Sequence, residues 1–163
     1  MDNGWAGSAA DVAWTAPAGS FKLRAGAIVR DGDRILLCTT DGVDGWYLPG
    51  GKVEFGEFAA AAVVRELREE LGVDARTVER VPGEWPLRQP YVLRVWTARL
   101  RPASAAPAPL QDHDALRWLT PEEIWDVDWL VQDVPAVREV AARLAAGSGA
   151  GAGRSPRAAA DRD

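Results

Sequence analysis

The chain has 163 residues, 47% of them hydrophobic, and its 19 basic and 24 acidic side chains give a formal net charge of −5 at pH 7. That length suits one domain with a real core, and the missing basic footprint argues against a binder of long nucleic acid. No apolar run reaches the length of a membrane span, no basic-then-apolar leader opens the chain, and the lone cysteine, Cys38, allows no intrachain disulfide, so a cytoplasmic protein is expected.

Residues 1–20 are rich in Ala, Gly and Ser without a sustained period and read as a flexible arm. Trp5 and Trp14 are unusual there, and either is mobile with the arm or folds back on the domain or on a partner. Phe21 to Arg30 and Arg34 to Thr40 read as two strands joined by a hairpin turn at Asp31-Gly32-Asp33. Asp41 to Gly45 is a polar loop that delivers Trp46 and Tyr47, which either line a cleft or plug the sheet. Leu48-Pro49-Gly50-Gly51 then allows a tight turn whose backbone can approach a ligand closely.

Phe58 to Leu71 contains no Gly or Pro and stops at Gly72, so it predicts a helix. Ala60, Val64, Leu67 and Leu71 form its expected apolar stripe. Glu66, Glu69 and Glu70 stand at i, i+3 and i+4 and share a neighbouring face. By itself that face reads as a solvated, salt-bridged surface, with Arg65 and Arg68 answering the acids. Beside a glycine turn able to offer backbone oxygen, the same acids suit a hard divalent cation such as Mg2+.

Beyond the helix, Val73 to Val81 reads as a strand broken by Pro82-Gly83-Glu84-Trp85-Pro86, and Tyr91 to Leu100 as a longer one. Residues 102–110 form a Pro/Ala loop, and Ala115 to Leu119 a short strand. Thr120-Pro121-Glu122-Glu123 carries the marks of a helix start: a Thr cap, Pro in first position and a capping-box Glu. Asp133 to Ala146 is a last amphipathic helix with Val134, Val137, Val140, Ala141 and Leu144 on one side. Residues 147–163 are low-complexity and expected to be disordered, which leaves residues 21–146 as the domain. The only histidine, His113, suits a general base or a turn-fixing hydrogen bond.

Gly51, Glu57, Arg65, Glu66, Leu67, Glu69, Glu70, Gly72 and Val73 fall at the spacing G-x5-E-x7-R-E-L-x-E-E-x-G-V. This pattern resembles the signature of the Nudix hydrolases at all nine specified positions, a match that chance supplies on the order of once in 10^9 starting points. The resemblance covers roughly residues 21–146 and implies an α+β domain, an α/β/α sandwich with a mixed sheet between helices. It also implies hydrolysis of a diphosphate linked to some other group. Transferred by position, Glu66, Glu69 and Glu70 ligate Mg2+, with Mn2+ as a substitute, and Glu66 or a neighbour helps to deprotonate water. Gly50 lends a carbonyl to the metal, while Glu57 and Arg65 support the site.

Asp112 to Leu119 and Asp126 to Pro135 resemble, more loosely, the C-terminal half of MutT-type members, which cleave nucleoside triphosphates to monophosphate and pyrophosphate. That likeness puts Asp112 at the metal site, against the alternative of an ordinary loop acid. It makes Asp133 a reader of the base edge, against the alternative of a helix cap. A carboxylate only accepts hydrogen bonds, so it suits the cytosine amino group or the N1–H and N2–H2 of a guanine. Trp46, Tyr47 and Trp129 are candidates to stack on the base, each with core packing as competitor. Three functions stay open: a triphosphate pyrophosphohydrolase, a hydrolase of nucleoside diphosphates linked to a sugar or other group, and a binding module without turnover. The crowded acids argue against the last. The expected partner is a small nucleotide, with no membrane and no long nucleic acid, and the protein a monomer or homodimer.

Overall fold

The structure, a computed structural model, describes residues 21–40, 45–111 and 113–147. Trp5, Trp14, Asp112, and the arm and tail apart from Gly147 lie outside those residues. Strands β1 (Lys22–Asp31) and β2 (Arg34–Thr40) make the expected hairpin but pair only beside its turn, at Arg30 with Ile35 and Asp31 with Arg34. Farther from the turn the two strands part. Into that fork runs the segment from Trp46 to Lys52: Tyr47 bridges to Cys38 of β2, and the short β3 (Gly50–Lys52) pairs with Arg24 to Gly26 of β1.

The other flank of β1 pairs in parallel with β5 (Tyr91–Leu100), which pairs antiparallel with β4 (Ala75–Pro86). At the far side β2 pairs antiparallel with β6 (His113–Leu119), giving the order β4-β5-β1-β2-β6 with β3 on β1. The mixed sheet is therefore the expected one. Two boundaries differ from the sequence reading. β4 runs on through Pro82-Gly83, with register shifts between Thr77 and Glu79 and between Val81 and Trp85, because an edge strand tolerates a missing N–H and a bulge. β6 starts at His113, two residues early, which brings the histidine onto the sheet opposite Thr40.

Side chains alternate across the sheet. Leu23, Ala25, Ala27 and Val29 of β1, with Leu36 and Cys38 of β2, pack in one cluster with Ala59, Ala62, Val63, Leu67 and Leu71 of helix α1 (Ala59–Leu71). Ile28, Ile35 and Leu37 face the opposite way, onto Val137, Val140 and Leu144 of helix α2 (Val134–Gly147). Two helical layers thus cover one sheet, the α/β/α sandwich. The buried face of α1 is rotated from the expected stripe: Ala59, Ala62 and Val63 are buried, whereas Ala60 and Val64 are half-exposed. Rotation in this sense carries Glu70 into the interior, where it is 7% exposed.

The helix expected after Thr120 is a 3-10 turn, Pro121–Asp126, with its capping box formed: the Thr120 N–H donates to Glu123 Oε1 at 3.0 Å and the Thr120 side chain answers the Glu123 N–H, which also closes the turn on the Thr120 carbonyl at 2.9 Å. A second 3-10 turn, Val131–Asp133, leads into α2, so Asp133 stands just ahead of the helix rather than within it.

Candidate active site

The fork between β1 and β2 sets the site. Gly50 has a φ of 151°, and a Cβ there would overlap the Ala25 carbonyl, so the turn presses directly on the β1 backbone. Gly51 is tight for another reason: a Cβ on it would run into the Glu66 carboxylate. These two contacts predict different failures. Gly50→Ala meets rigid backbone and is expected to cost about 3 kcal/mol or more of stability. Gly51→Ala meets the mobile end of a side chain; it is expected to leave stability nearly intact and, if Glu66 takes part in the reaction, to lower kcat by about 10-fold or more. Denaturant titration and steady-state kinetics on both variants check the contrast.

Arg65 organises the acids of α1. Its Nε and Nη2 donate to the two oxygens of Glu57 at 2.8 and 2.9 Å, a fork-to-fork pair. Nη1 donates to Glu66 Oε2 at 2.9 Å and to Glu69 Oε1 at 3.3 Å, and Nη2 also reaches the Lys52 carbonyl at 3.0 Å. The bond from Arg65 holds the Glu57 carboxyl below its ordinary range, and Glu57 Oε1 also accepts from the Glu54 N–H at 3.0 Å, closing the loop ahead of the helix.

Glu70 faces inward. Its Oε1 accepts from the Gly50 N–H at 3.1 Å, and Oε2 lies 3.3 Å from His113 Nε2. Burial above all, opposed by the Gly50 bond and reinforced by neighbouring Glu66, pushes its carboxyl up to about 8. Glu66 and Glu69, both held by Arg65 Nη1, and Glu70, held by the Gly50 N–H, offer the oxygen donors that fit a hard divalent cation.

A cleft of about 500 Å³ opens beside the turn. It is lined by Gly50 and Gly51, by Tyr47, Leu48 and Asp133, and by Arg24, Arg88 and Tyr91. Asp133 Oδ2 accepts from the Leu48 N–H at 3.2 Å. Burial pushes its carboxyl up to about 6, against that bond and the Arg24 charge. Tyr91 carries two cations over its ring, Lys52 Nζ at 5.3 Å and the Arg24 guanidinium at 5.9 Å.

Of the residues singled out from sequence, the structure gathers Gly50, Glu57, Arg65, Glu66, Glu69 and Glu70 around the turn, and Tyr47 and Asp133 in the adjoining cleft. Trp46 and Trp129 do not line that cleft. They pair with each other and pack in the core under α2, where the Trp129 indole N–H donates to the Ile124 carbonyl at 2.8 Å. Core packing, the competing reading of both, describes their positions. The cations Arg24 and Arg88 and the Tyr91 ring were missed. Arg24 carried a signal, a charge set inside a strand otherwise apolar on both faces; the other two carried none.

A carboxylate helix braced by one arginine against a glycine turn, on a mixed sheet covered by helices, is the build of a phosphate-anhydride hydrolase. The chain belongs to the Nudix family: the NUDIX domain profile matches residues 20–144. It is a MutT-like member and a hydrolase. The CTP pyrophosphohydrolase of Escherichia coli (strain K12) is 33% identical over 130 residues, 77% of this chain and 95% of that protein. The solution structure of the E. coli ORF135 protein superposes with a TM-score of 0.64 at 32% identity, covering 80% of this chain and 97% of that one. The MutT Nudix hydrolase from Burkholderia pseudomallei gives 0.59 at 26% identity, over 73% and 97% of the two chains. Nudix hydrolases generally use a divalent metal. Among the described residues no helix is long and apolar enough to cross a membrane.

Proposed function

We propose that the protein is a Mg2+-dependent pyrophosphohydrolase of nucleoside triphosphates, converting the triphosphate and water to nucleoside monophosphate and pyrophosphate. The observation that carries this reading is the adjacency of the Arg65-braced acids, the Gly50-Gly51 turn and a cleft walled by Arg24 and Arg88. Glu66, Glu69 and Glu70 would hold Mg2+, or Mn2+ in its place, with the Gly50 carbonyl and Asp112 as further ligands. Such a cation, when bound, would supply charge to neutralise the polyphosphate and polarise the P–O bond, and would lower the pKa of the attacking water.

This chain's own residues do the rest. Arg65 fixes the carboxylates so that little reorganisation is needed when the substrate arrives. Glu66, held through Oε2 by Arg65, or a neighbouring glutamate takes the proton of the attacking water in this reading. Arg24 and Arg88 supply positive charge to a polyanion that the −5 net charge would otherwise repel. That net charge and the buried Cys38 support a cytoplasmic enzyme of free nucleotides, monomeric or dimeric, rather than one of long nucleic acid.

Asp133 is assigned to the base. It lines the cleft, only accepts hydrogen bonds when ionised, and so selects a base edge bearing N–H donors, cytosine or a guanine. The relative named CTP pyrophosphohydrolase is consistent with the cytosine option. Asp133→Ala is expected to change the ranking of bases more than it lowers the rate on the best one; a uniform loss across bases would point to a structural role.

Its buried charge also has a cost. The folded state holds the Asp133 proton more tightly than the unfolded chain, so stability falls as pH rises from the ordinary carboxylate range through about 6. Asp133→Asn keeps an acceptor for the Leu48 N–H and removes that cost. It is expected to stabilise the protein by at most about 3 kcal/mol at pH 7.5 and by almost nothing near pH 4, as read from urea titrations at the two pH values.

The function is tested by product analysis over a nucleotide panel with Mg2+ or EDTA. Equimolar monophosphate and pyrophosphate, in Mg2+ alone, is the expected result. Single phosphate release, cleavage confined to diphosphate-linked nucleotides, or no turnover would each sink it.

A further inference from the structure

Glu70 also faces a second donor set, which the hydrolytic reading does not use. A ligand atom from each of Cys38, Glu70 and His113 lies within 4.8 Å of the other two. They come from three elements, β2, α1 and β6, joined here because His113 pairs into the sheet.

We propose that Cys38, Glu70 and His113 bind a divalent cation of the Zn2+ class, and that its occupancy inhibits the enzyme by drawing Glu70 away from the face where Mg2+ acts. Only the inhibition half rests on the proposed function; the binding half stands on the side chains alone. Thiolate, imidazole and carboxylate are the ligands of Zn2+ and its neighbours, whereas Mg2+ takes oxygen. A thiolate and a carboxylate with a neutral imidazole cancel two positive charges, so the filled site carries no net charge. That matters here, because Cys38 is fully buried and the side chains of His113 and Glu70 are 6% and 10% exposed.

The histidine is already turned for the purpose. Its Nε2 faces Glu70 at 3.3 Å, and its Nδ1 meets the Tyr47 hydroxyl at 3.5 Å, the outer contact that fixes a ligating imidazole. Tyr47 is in turn bonded through its backbone to Cys38, at 3.3 and 3.1 Å. Inhibition follows from sharing. Glu70 accepts from Gly50 through Oε1 and meets the histidine through Oε2, so a cation seated between His113 and Cys38 takes the oxygen that is free to turn toward the Mg2+ face.

The test uses the full chain, freed of metal and titrated with Co2+ as a spectroscopic stand-in for Zn2+, then with Zn2+ in competition. One equivalent of Co2+ is expected to give a thiolate-to-metal charge-transfer band that Zn2+ abolishes. Cys38→Ala is expected to remove the band, and His113→Gln, which leaves the core cysteine in place, to weaken binding by about 10-fold or more. Far-UV circular dichroism verifies that each variant is folded. In assays with saturating Mg2+, Zn2+ is expected to inhibit the wild type, and Cys38→Ala to need about 10-fold more Zn2+ for the same inhibition while its Mg2+ activity is unchanged.

Co2+ binding without the thiolate band overturns the proposal, as does binding lost in Glu66→Gln yet indifferent to both Cys38→Ala and His113→Gln. The spectrum needs no turnover. A band in a protein that cleaves no triphosphate sinks only the functional reading; normal turnover without a band sinks only this one.

Discussion

Glu70→Gln is expected to lower kcat for triphosphate hydrolysis by roughly 10^2-fold or more, the loss typical of deleting one electrostatic stabiliser. In EDTA the same variant is expected to melt at or above the wild-type temperature. The two halves have one cause. Glutamine still accepts the Gly50 N–H, so the turn keeps its anchor, but it offers no charge to a cation. In the metal-free wild type, burial and Glu66 hold the Glu70 carboxyl up near 8. The folded state therefore pays for ionising it, increasingly as pH rises from the ordinary carboxylate range to about 8. The amide has nothing to ionise, so the melting difference should widen over that window. Lost activity with retained or gained stability marks a residue kept for chemistry at the expense of packing. Near-normal turnover would count against Glu70 as a metal ligand; a large drop in melting temperature would make it a structural acid.

Arg65→Lys is expected to lower kcat by about 10- to 100-fold although the charge is kept. A single ammonium cannot hold both oxygens of Glu57 while also reaching Glu66, Glu69 and the Lys52 carbonyl, as the guanidinium fork does. Arg65→Ala goes further, leaving clustered carboxylates without their cation. The Arg65 side chain is a quarter exposed, so water screens part of that repulsion and about 2 kcal/mol of lost stability is expected. Raised Mg2+ should restore some activity to the alanine variant, since the metal answers the same charges. A lysine variant with wild-type kcat would show that the acids hold their positions unaided. Kinetics over a Mg2+ series and urea titration of both variants separate these outcomes.

The sequence carried the helix and the clustering of its charged side chains because both rest on short-range spacing. Glu57, Arg65, Glu66, Glu69 and Glu70 are close in the chain, and the structure joins them through Arg65 and the Gly50 turn much as that spacing suggests. The hairpin, the long strand Tyr91–Leu100 and the capping box at Thr120 are local in the same sense. What pattern could not supply is where distant strands meet. The parting of β1 from β2 places Tyr47 against Cys38, and the pairing of β6 with β2 brings His113 to Glu70. Neither contact has a periodic trace. The inward turn of Glu70 was hidden because a helix wheel ranks a glutamate as exposed, and its partners inside, the Gly50 N–H and His113 Nε2, come from distant elements. Trp46 and Trp129 show the converse: an aromatic beside a presumed cleft is still more often claimed by the core.

The most direct test is a crystal structure with Mg2+ and a non-hydrolysable nucleoside triphosphate. Mg2+ is expected to be coordinated by oxygens of Glu66 and Glu70 and by the polyphosphate, with the phosphates beside Gly50-Gly51 and the base against Asp133. A triphosphate seated away from α1, or Mg2+ that touches none of its glutamates, would contradict the proposed chemistry at its root.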